Sequence, residues 1–196
     1  PEGYIFDKFT PREPFVNDYK NSVLYMDKQF SDLWTAIEAV NIADNTMAIV
    51  TSDHGEEFND NNAGYWGHGS NFTEYQVAVP LILKQAKNNK QPLPQSVNKL
   101  TGHIDIVPTI FSQELGCANP TSDYSNGFSL INVPDDRSGM ITASYKDKAY
   151  IIDGKVYATG LSVESYDLKD INKKNDAFNY PKLNTLKSEE YLFLKE

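Results

Sequence analysis

The chain has 196 residues, 40% of them hydrophobic and 23% charged, with a formal net charge of −9 from 18 basic and 27 acidic side chains. That length supports a core, and the composition excludes disordered and fibrous classes. The negative balance speaks against nucleic acid, whose binding draws on many Lys and Arg contacts to phosphate, and against unaided adhesion to an anionic membrane surface. One cysteine, Cys117, leaves no intrachain disulfide. No apolar run reaches the roughly 18–20 residues of a membrane helix. The chain opens on Pro1-Glu2-Gly3 without Met or a leader-like segment, and reads as a piece of a longer protein.

Residues 1–15, with Pro1, Gly3, Pro11 and Pro14, predict an extended, turn-rich entry. Across 16–40 the apolar residues Val23, Met26, Phe30, Leu33, Trp34, Ile37 and Val40 recur every three or four positions, which predicts an amphipathic helix with one buried face and Trp34 in the core. The run 46–51 is short, apolar and β-prone without alternation, as expected of a strand buried on both faces of a parallel sheet. Residues 52–78 show no period, and loops that long in compact domains are functional or disordered. A second buried strand is expected over 79–83, then a polar surface loop over 86–95. Residues 105–115 predict a helix with Asp105 as N-cap, Pro108 in the first turn, Ile106, Ile110, Phe111 and Leu115 on one face, and Gly116 as stop. From 138 to 168 β-prone runs alternate with turns, and Asp153-Gly154 signals a hairpin. Residues 138–196 thus read as antiparallel strands followed by a charged tail, with 169–174 a solvated face and a weak helix from Ser188. Helix, turn and buried strand together indicate an α/β fold.

Asp53 and His54 directly follow the first predicted strand. Ligand sites in open α/β sheets lie at the carboxyl ends of strands, and a carboxylate beside an imidazole suits Zn²⁺ or Mn²⁺. The same residues also fit a polar turn. Gly55 suits a sharp turn of the backbone. Glu56 and Glu57 either begin the next turn or helix, or stand behind His54 and fix its ring. His68 lies between Gly67 and Gly69, which let the backbone pass close to a bound group. Two of the three histidines of the chain therefore bracket one loop. Trp66 either shapes a pocket beside His68 or packs the loop. His103 is expected to hold the loop before the second helix, and Cys117 to be a small buried thiol. Asn71-Phe72-Thr73 matches a glycosylation sequon, a pattern common by chance.

The segments Thr51-Ser52-Asp53-His54-Gly55-Glu56, Tyr65-Trp66-Gly67-His68-Gly69 and Val79-Pro80-Leu81-Ile82, in that order, resemble the C-terminal signature of sulfatase-like hydrolases of the alkaline phosphatase superfamily. Tyr25-Met26-Asp27 and His103-Ile104-Asp105-Ile106-Val107-Pro108-Thr109 resemble that family's flanking helices, so the likeness runs from about residue 16 to 131. Gly67-His68-Gly69-Ser70-Asn71-Phe72 and Asp123-Tyr124-Ser125-Asn126-Gly127 resemble in particular the YejM (PbgA) type of Gram-negative inner-membrane protein.

The resemblance implies the C-terminal part of an α/β/α sandwich with a mostly parallel central sheet plus a small antiparallel ribbon, all within one partial domain over 1–196. It implies Asp53 and His54 as ligands of a divalent metal (Mn, Zn, Mg or Ca). His68 would meet the oxygens of a phosphate or sulfate ester, lipid-linked ones included. Beside these, the residues' own chemistry makes Trp66 a candidate at the substrate and Glu56 and Glu57 candidates to support the ligands. The nucleophile, a further acidic ligand and a membrane anchor would come from the N-terminal part of the parent, in the periplasm. Some members of the YejM group have lost the Asp-His pair and sense lipopolysaccharide, a non-catalytic alternative. Here the pair is present. The context of Cys117 lacks the Pro and Arg of the modified-cysteine motif of arylsulfatases.

Overall fold

The computed structural model describes residues 6–87, 96–160, 163–175 and 179–192. They fall into two compact units: Pro1–Asn88 with Lys169–Lys173, and Asn89–Leu168 with Lys174–Glu196. The expected entry residues 1–5 and most of the polar loop, 88–95, lie outside the described residues.

In the first unit a turn is closed by the Asp7 carboxylate, which accepts from the Phe9 N–H at 2.9 Å and the Thr10 hydroxyl at 3.0 Å. Helix α1 (Glu13–Ala39) starts three residues before the expected boundary. Pro14 sits in its first turn, where a missing N–H costs nothing, so it opens the helix and does not belong to the entry. The apolar stripe is there, but no residue of α1 is buried. Met26 and Leu33 are 64% and 57% exposed. The expected buried face is therefore uncovered among the described residues, because the 3.6-residue period reports a face able to be buried and not what lies against it. Trp34 is half-buried and not core. Its indole N–H donates to Glu38 at 3.0 Å, and the Lys84 ammonium stands 4.4 Å from the ring centroid.

Strand β1 (Ala48–Thr51) is followed by a short hairpin, β2 (Glu57–Phe58) and β3 (Trp66–Gly67), one turn of helix α2 (Glu74–Val77), and strand β4 (Leu81–Lys84). The span 52–78 is thus a folded loop. β1 pairs with β4 antiparallel, Ala48 opposite Lys84 and Thr51 opposite Leu81. The first run was expected to join a parallel sheet, but its pairing here is antiparallel, and the burial expected of both strands is incomplete, since neither has a fully buried residue. An unbroken apolar run sets a strand's tendency to be buried but not the direction of its neighbour. At the hairpin turn Asn59 and Asn62 take φ of 55° and 53°, a region that Asn tolerates better than most residues. Asn61 ties the turn to strand β9 (Asp170–Lys174): it donates to the Lys169 carbonyl at 3.0 Å and accepts from the Ile171 N–H at 3.3 Å. The segment expected to be only a solvated face is therefore a strand whose Asn172, Lys173 and Lys174 are exposed.

In the second unit a tight turn over His103–Asp105 leads into helix α3 (Ile106–Gln113). Pro108 and Thr109 are its buried residues. Leu115 lies past the helix end and is 68% exposed, so it leaves the face assigned to it. Gly116 follows with φ of 63°, as a helix stop requires. Cys117 is half-buried and not buried. Asp105 holds the N-cap position, but its carboxylate does not cap. It accepts from the Gly102 and Phe128 N–H groups, both at 2.8 Å, and from Arg137 at 2.7 Å.

Strands β5 (Met140–Ala143), β6 (Lys148–Ile152), β7 (Lys155–Thr159) and β8 (Val163–Asp167) form the expected antiparallel meander. Asp153 and Gly154 take φ of 51° and 74°, the two left-handed residues of a tight hairpin turn. Helix α4 (Tyr180–Leu192) begins well before Ser188, with Asn179 accepting from the Lys182 N–H and Pro181 in its first turn. Leu183 and Leu186 pack on Tyr150, Ile152 and Tyr157 to make the core of this unit. No helix among the described residues is long and apolar enough to cross a membrane.

Candidate functional site

The site grows from the end of β1 and from the hairpin. Ser52 turns the chain by donating its hydroxyl to the His54 carbonyl at 2.8 Å. The Asp53 carboxylate accepts from the His54 N–H at 3.0 Å and stands 3.6 Å from His54 Nε2. The Asp53 side chain is 86% exposed. The slight burial it does have pushes its carboxyl up, but the His54 ring, nearby N–H groups and the Ser52 hydroxyl together hold it below the usual range.

Gly55 is needed for close approach: a Cβ there would run into the Tyr75 carbonyl oxygen. Gly67 and Gly69, on either side of His68, take φ of 80° and 74°. Both are in the left-handed region that side chains disfavour. The bracket of glycines therefore sets the backbone path that delivers His68.

That path lays the His68 ring on the His54 ring, centroids 3.7 Å apart and planes at 25°. Nδ1 of His54 faces the Gly55 carbonyl at 2.9 Å, and Nδ1 of His68 faces the Glu56 carboxylate at 2.9 Å. A carbonyl only accepts, so Nδ1 of His54 carries the proton and a neutral ring keeps its lone pair on Nε2. Ligating atoms of His54, Glu56 and His68 lie within 4.8 Å of one another. One ion with ligand bonds of about 2.0–2.2 Å holds its ligand atoms within about 4.4 Å. The donors are thus close to a binding arrangement. Two stacked rings present their nitrogens side by side, so capture of an ion requires one ring to turn.

The expected site residues separate here. His54, Glu56 and His68 come together, while Asp53 stands beside His54 and outside that set. Glu56 serves His68 and not His54. Glu57 is turned inward, fully buried, and accepts from Asn71 at 2.7 Å and Gln76 at 2.6 Å, with Oε1 unpartnered. It bonds neither histidine. Burial pushes its carboxyl up, against the lowering effect of those two amides. Trp66 donates to the Asp7 carbonyl at 3.1 Å and stacks on Phe6, with centroids 5.0 Å apart. It clamps the hairpin to the entry, which is the packing alternative for this residue. The sequon Asn71 is buried and engaged. From the sequence Asn71 reads only as part of a sequon and a likeness, and Gln76 has no role, because both lie in a stretch without periodicity and act through side chains.

Comparison with known proteins places the chain in a family. A family model described as Sulfatase matches residues 3–113, more than half of the chain. The chain belongs to the sulfatase family. It is 27% identical over 131 residues to the inner membrane protein YejM of Salmonella typhimurium, which covers 66% of this chain and 20% of that protein. It is 34% identical over 105 residues to iduronate 2-sulfatase of Mus musculus, covering 54% and 18%. This sulfatase-family chain thus spans about a fifth of the length of the curated relatives it matches. Among solved structures it is similar to BT4656 in complex with its substrate D-glucosamine-2-N,6-O-disulfate, with a TM-score of 0.57, 19% identity, and coverage of 87% of this chain and 37% of that one. It is also similar to the phosphonate monoester hydrolase of Agrobacterium radiobacter, with a TM-score of 0.57, 22% identity, and coverage of 86% and 38%. At those identities the likeness concerns the fold.

Proposed function

We propose that this chain is the C-terminal part of a metal-dependent hydrolase or phosphoryl-group transferase of the bacterial envelope, acting on phosphate or sulfate esters in the periplasm. The observation that carries the reading is the convergence of His54, Glu56 and His68 within 4.8 Å, beside Asp53, in a chain of this family. Imidazole and carboxylate donors suit borderline divalent ions such as Zn²⁺ or Mn²⁺. Asp53 and Nε2 of His54 would hold the ion. When bound, it would polarise the ester and activate a nucleophile supplied from outside this chain. The chain's own part is positioning. Glu56 fixes the His68 ring, whose Nε2 edge would face the oxygens on which negative charge builds. With His54 and His68 about 40% exposed, this wall of the site is open to an incoming ester.

Metal analysis of the full-length parent, purified without chelator, tests the reading. About one divalent ion per chain is expected, lost in Asp53→Ala and His54→Ala. Absence of metal from the parent overturns it. In a thermal-shift assay, stabilisation by a lipid A-like phosphate but not by Mn²⁺ or Zn²⁺ would point instead to a lipid-sensing domain.

A further inference from the structure

Beneath the histidines lies a set of polar side chains that the reading above does not use. Gln76 is only 3% exposed, yet nearly all of its polar atoms are occupied by the two arms of the site. Its main-chain oxygen accepts from the Gly55 N–H at 2.9 Å, one residue after His54. Its side-chain Oε1 accepts from the Ser70 and Asn71 N–H groups at 3.1 and 3.3 Å, two and three residues after His68. Its Nε2 donates to Glu57 at 2.6 Å and to the Ser70 hydroxyl at 2.9 Å. Glu57 in turn accepts from Asn71, whose Oδ1 receives the Thr73 N–H and hydroxyl, both at 2.8 Å. In the hairpin Glu57 stands opposite Gly67.

We propose that Gln76, seated on the buried Glu57, is the positioning residue that sets where His68 stands relative to His54. The loop from 52 to 78 has almost no apolar core to do this. Its buried residues are Glu57, Asn59, Asn71, Phe72, Thr73 and Gln76, of which only Phe72 is apolar. A buried polar network specifies one arrangement when its members are satisfied, because each alternative leaves a donor or acceptor without a partner. Gln76 bonds both arms, Gly55 and Glu57 on one side and Ser70 and Asn71 on the other. An apolar residue of its size would fill the space but release the Ser70 and Asn71 amides and the Gly69-Ser70 turn that follows His68. The inference rests on the metal-site reading only for its consequence on metal affinity. The ring geometry it explains is independent of any ion.

The test is histidine-selective NMR of the 196-residue chain, which has three histidines to resolve. The wild-type chain should give an inter-ring Overhauser contact between His54 and His68. Gln76→Ala should abolish it, whereas Arg137→Ala, expected to weaken the second unit by breaking the ion pair with Asp105, should leave it in place below its melting point. The exchange Glu57→Gln with Gln76→Glu keeps an amide facing a carboxylate, and the carboxylate now at position 76 would still accept from the Ser70 and Asn71 amides. It should restore the contact that Gln76→Glu alone loses by setting two carboxyl groups together. In the full-length parent, Gln76→Ala should weaken Mn²⁺ binding by about 10- to 100-fold. A contact that survives in Gln76→Ala overturns the proposal. So does an exchange variant that fails to regain it, whether folded or not. A parent that binds no metal, with the ring contact still dependent on Gln76, would sink the metal site and leave the positioning role standing.

Discussion

At the scale of single residues, the chain spends its buried charge sparingly. Asp105 and Arg137 form an ion pair with side chains 0% and 7% exposed. The carboxylate also takes two backbone N–H groups, so its charge is well met. Arg137→Ala would strand a buried carboxylate, which costs about 3–5 kcal/mol. Urea denaturation of the chain should show a loss of that size, with a milder loss for Asp105→Asn. The pairing was not legible beforehand, because 32 residues separate the partners and Arg137 lies in a turn with no pattern of its own. The histidine bracket, by contrast, was legible. Gly67, His68 and Gly69 announced an unusual backbone, and both glycines are left-handed. Glu56 was only half-read: an acidic residue close to a histidine suggests support, but the sequence does not say which histidine it supports.

At the scale of elements, local chemistry translated into structure where turns declare themselves. Asp153-Gly154 gave its hairpin, and Gly116 its stop. The helix of 16–40 appeared but its buried face did not, and the two apolar strands paired antiparallel. Both differences concern what an element meets, which no local pattern states. The stripe of Tyr19, Val23, Met26, Phe30 and Leu33 on α1, each between 39% and 64% exposed, is large for a free surface. The 196-residue chain should therefore self-associate at high concentration. Val23→Lys with Met26→Lys should shift sedimentation toward monomer while changing stability by less than about 0.5 kcal/mol per site. Gly55 presents the opposite case. Gly55→Ala must displace the Tyr75 carbonyl, and should break the bond from the Gly55 amide to Gln76. The expected outcome is faster hydrogen exchange across 52–78 with the β5–β8 meander unaffected.

At the scale of the whole molecule, the α/β class and the C-terminal ribbon follow from the succession of elements. The meander also holds a pH-sensitive bond. The Tyr150 hydroxyl donates to Glu190 at 2.7 Å, and Lys148 meets the same carboxylate at 2.6 Å. Burial first, then Glu190, pushes the phenol from 10 up to about 12. The unfolded chain loses that proton near pH 10 while the folded chain keeps it to about 12. The stabilisation is therefore whole below pH 10 and is lost as the pH rises through 12. Lys148, raised chiefly by its bond to Glu190, adds to the same alkaline loss. Tyr150→Phe should reduce the fall of unfolding free energy between pH 10 and 12 without abolishing it, as followed by urea titration at each pH.

The two units differ in the balance of what they bury, since the second adds a large apolar core to polar residues such as Asp105 and Thr109. In the second, Tyr150, Ile152, Tyr157, Leu183 and Leu186 shut out water. In the first, the residues taken from water around the hairpin are mostly amides, hydroxyls and a carboxyl group. Apolar burial loses strength on cooling, whereas exposure of polar groups changes the heat capacity of unfolding in the opposite sense. Refrigeration should therefore loosen the meander and its helix more than the histidine loop, so the bracket of His54 and His68 is the part of the chain less weakened by cold.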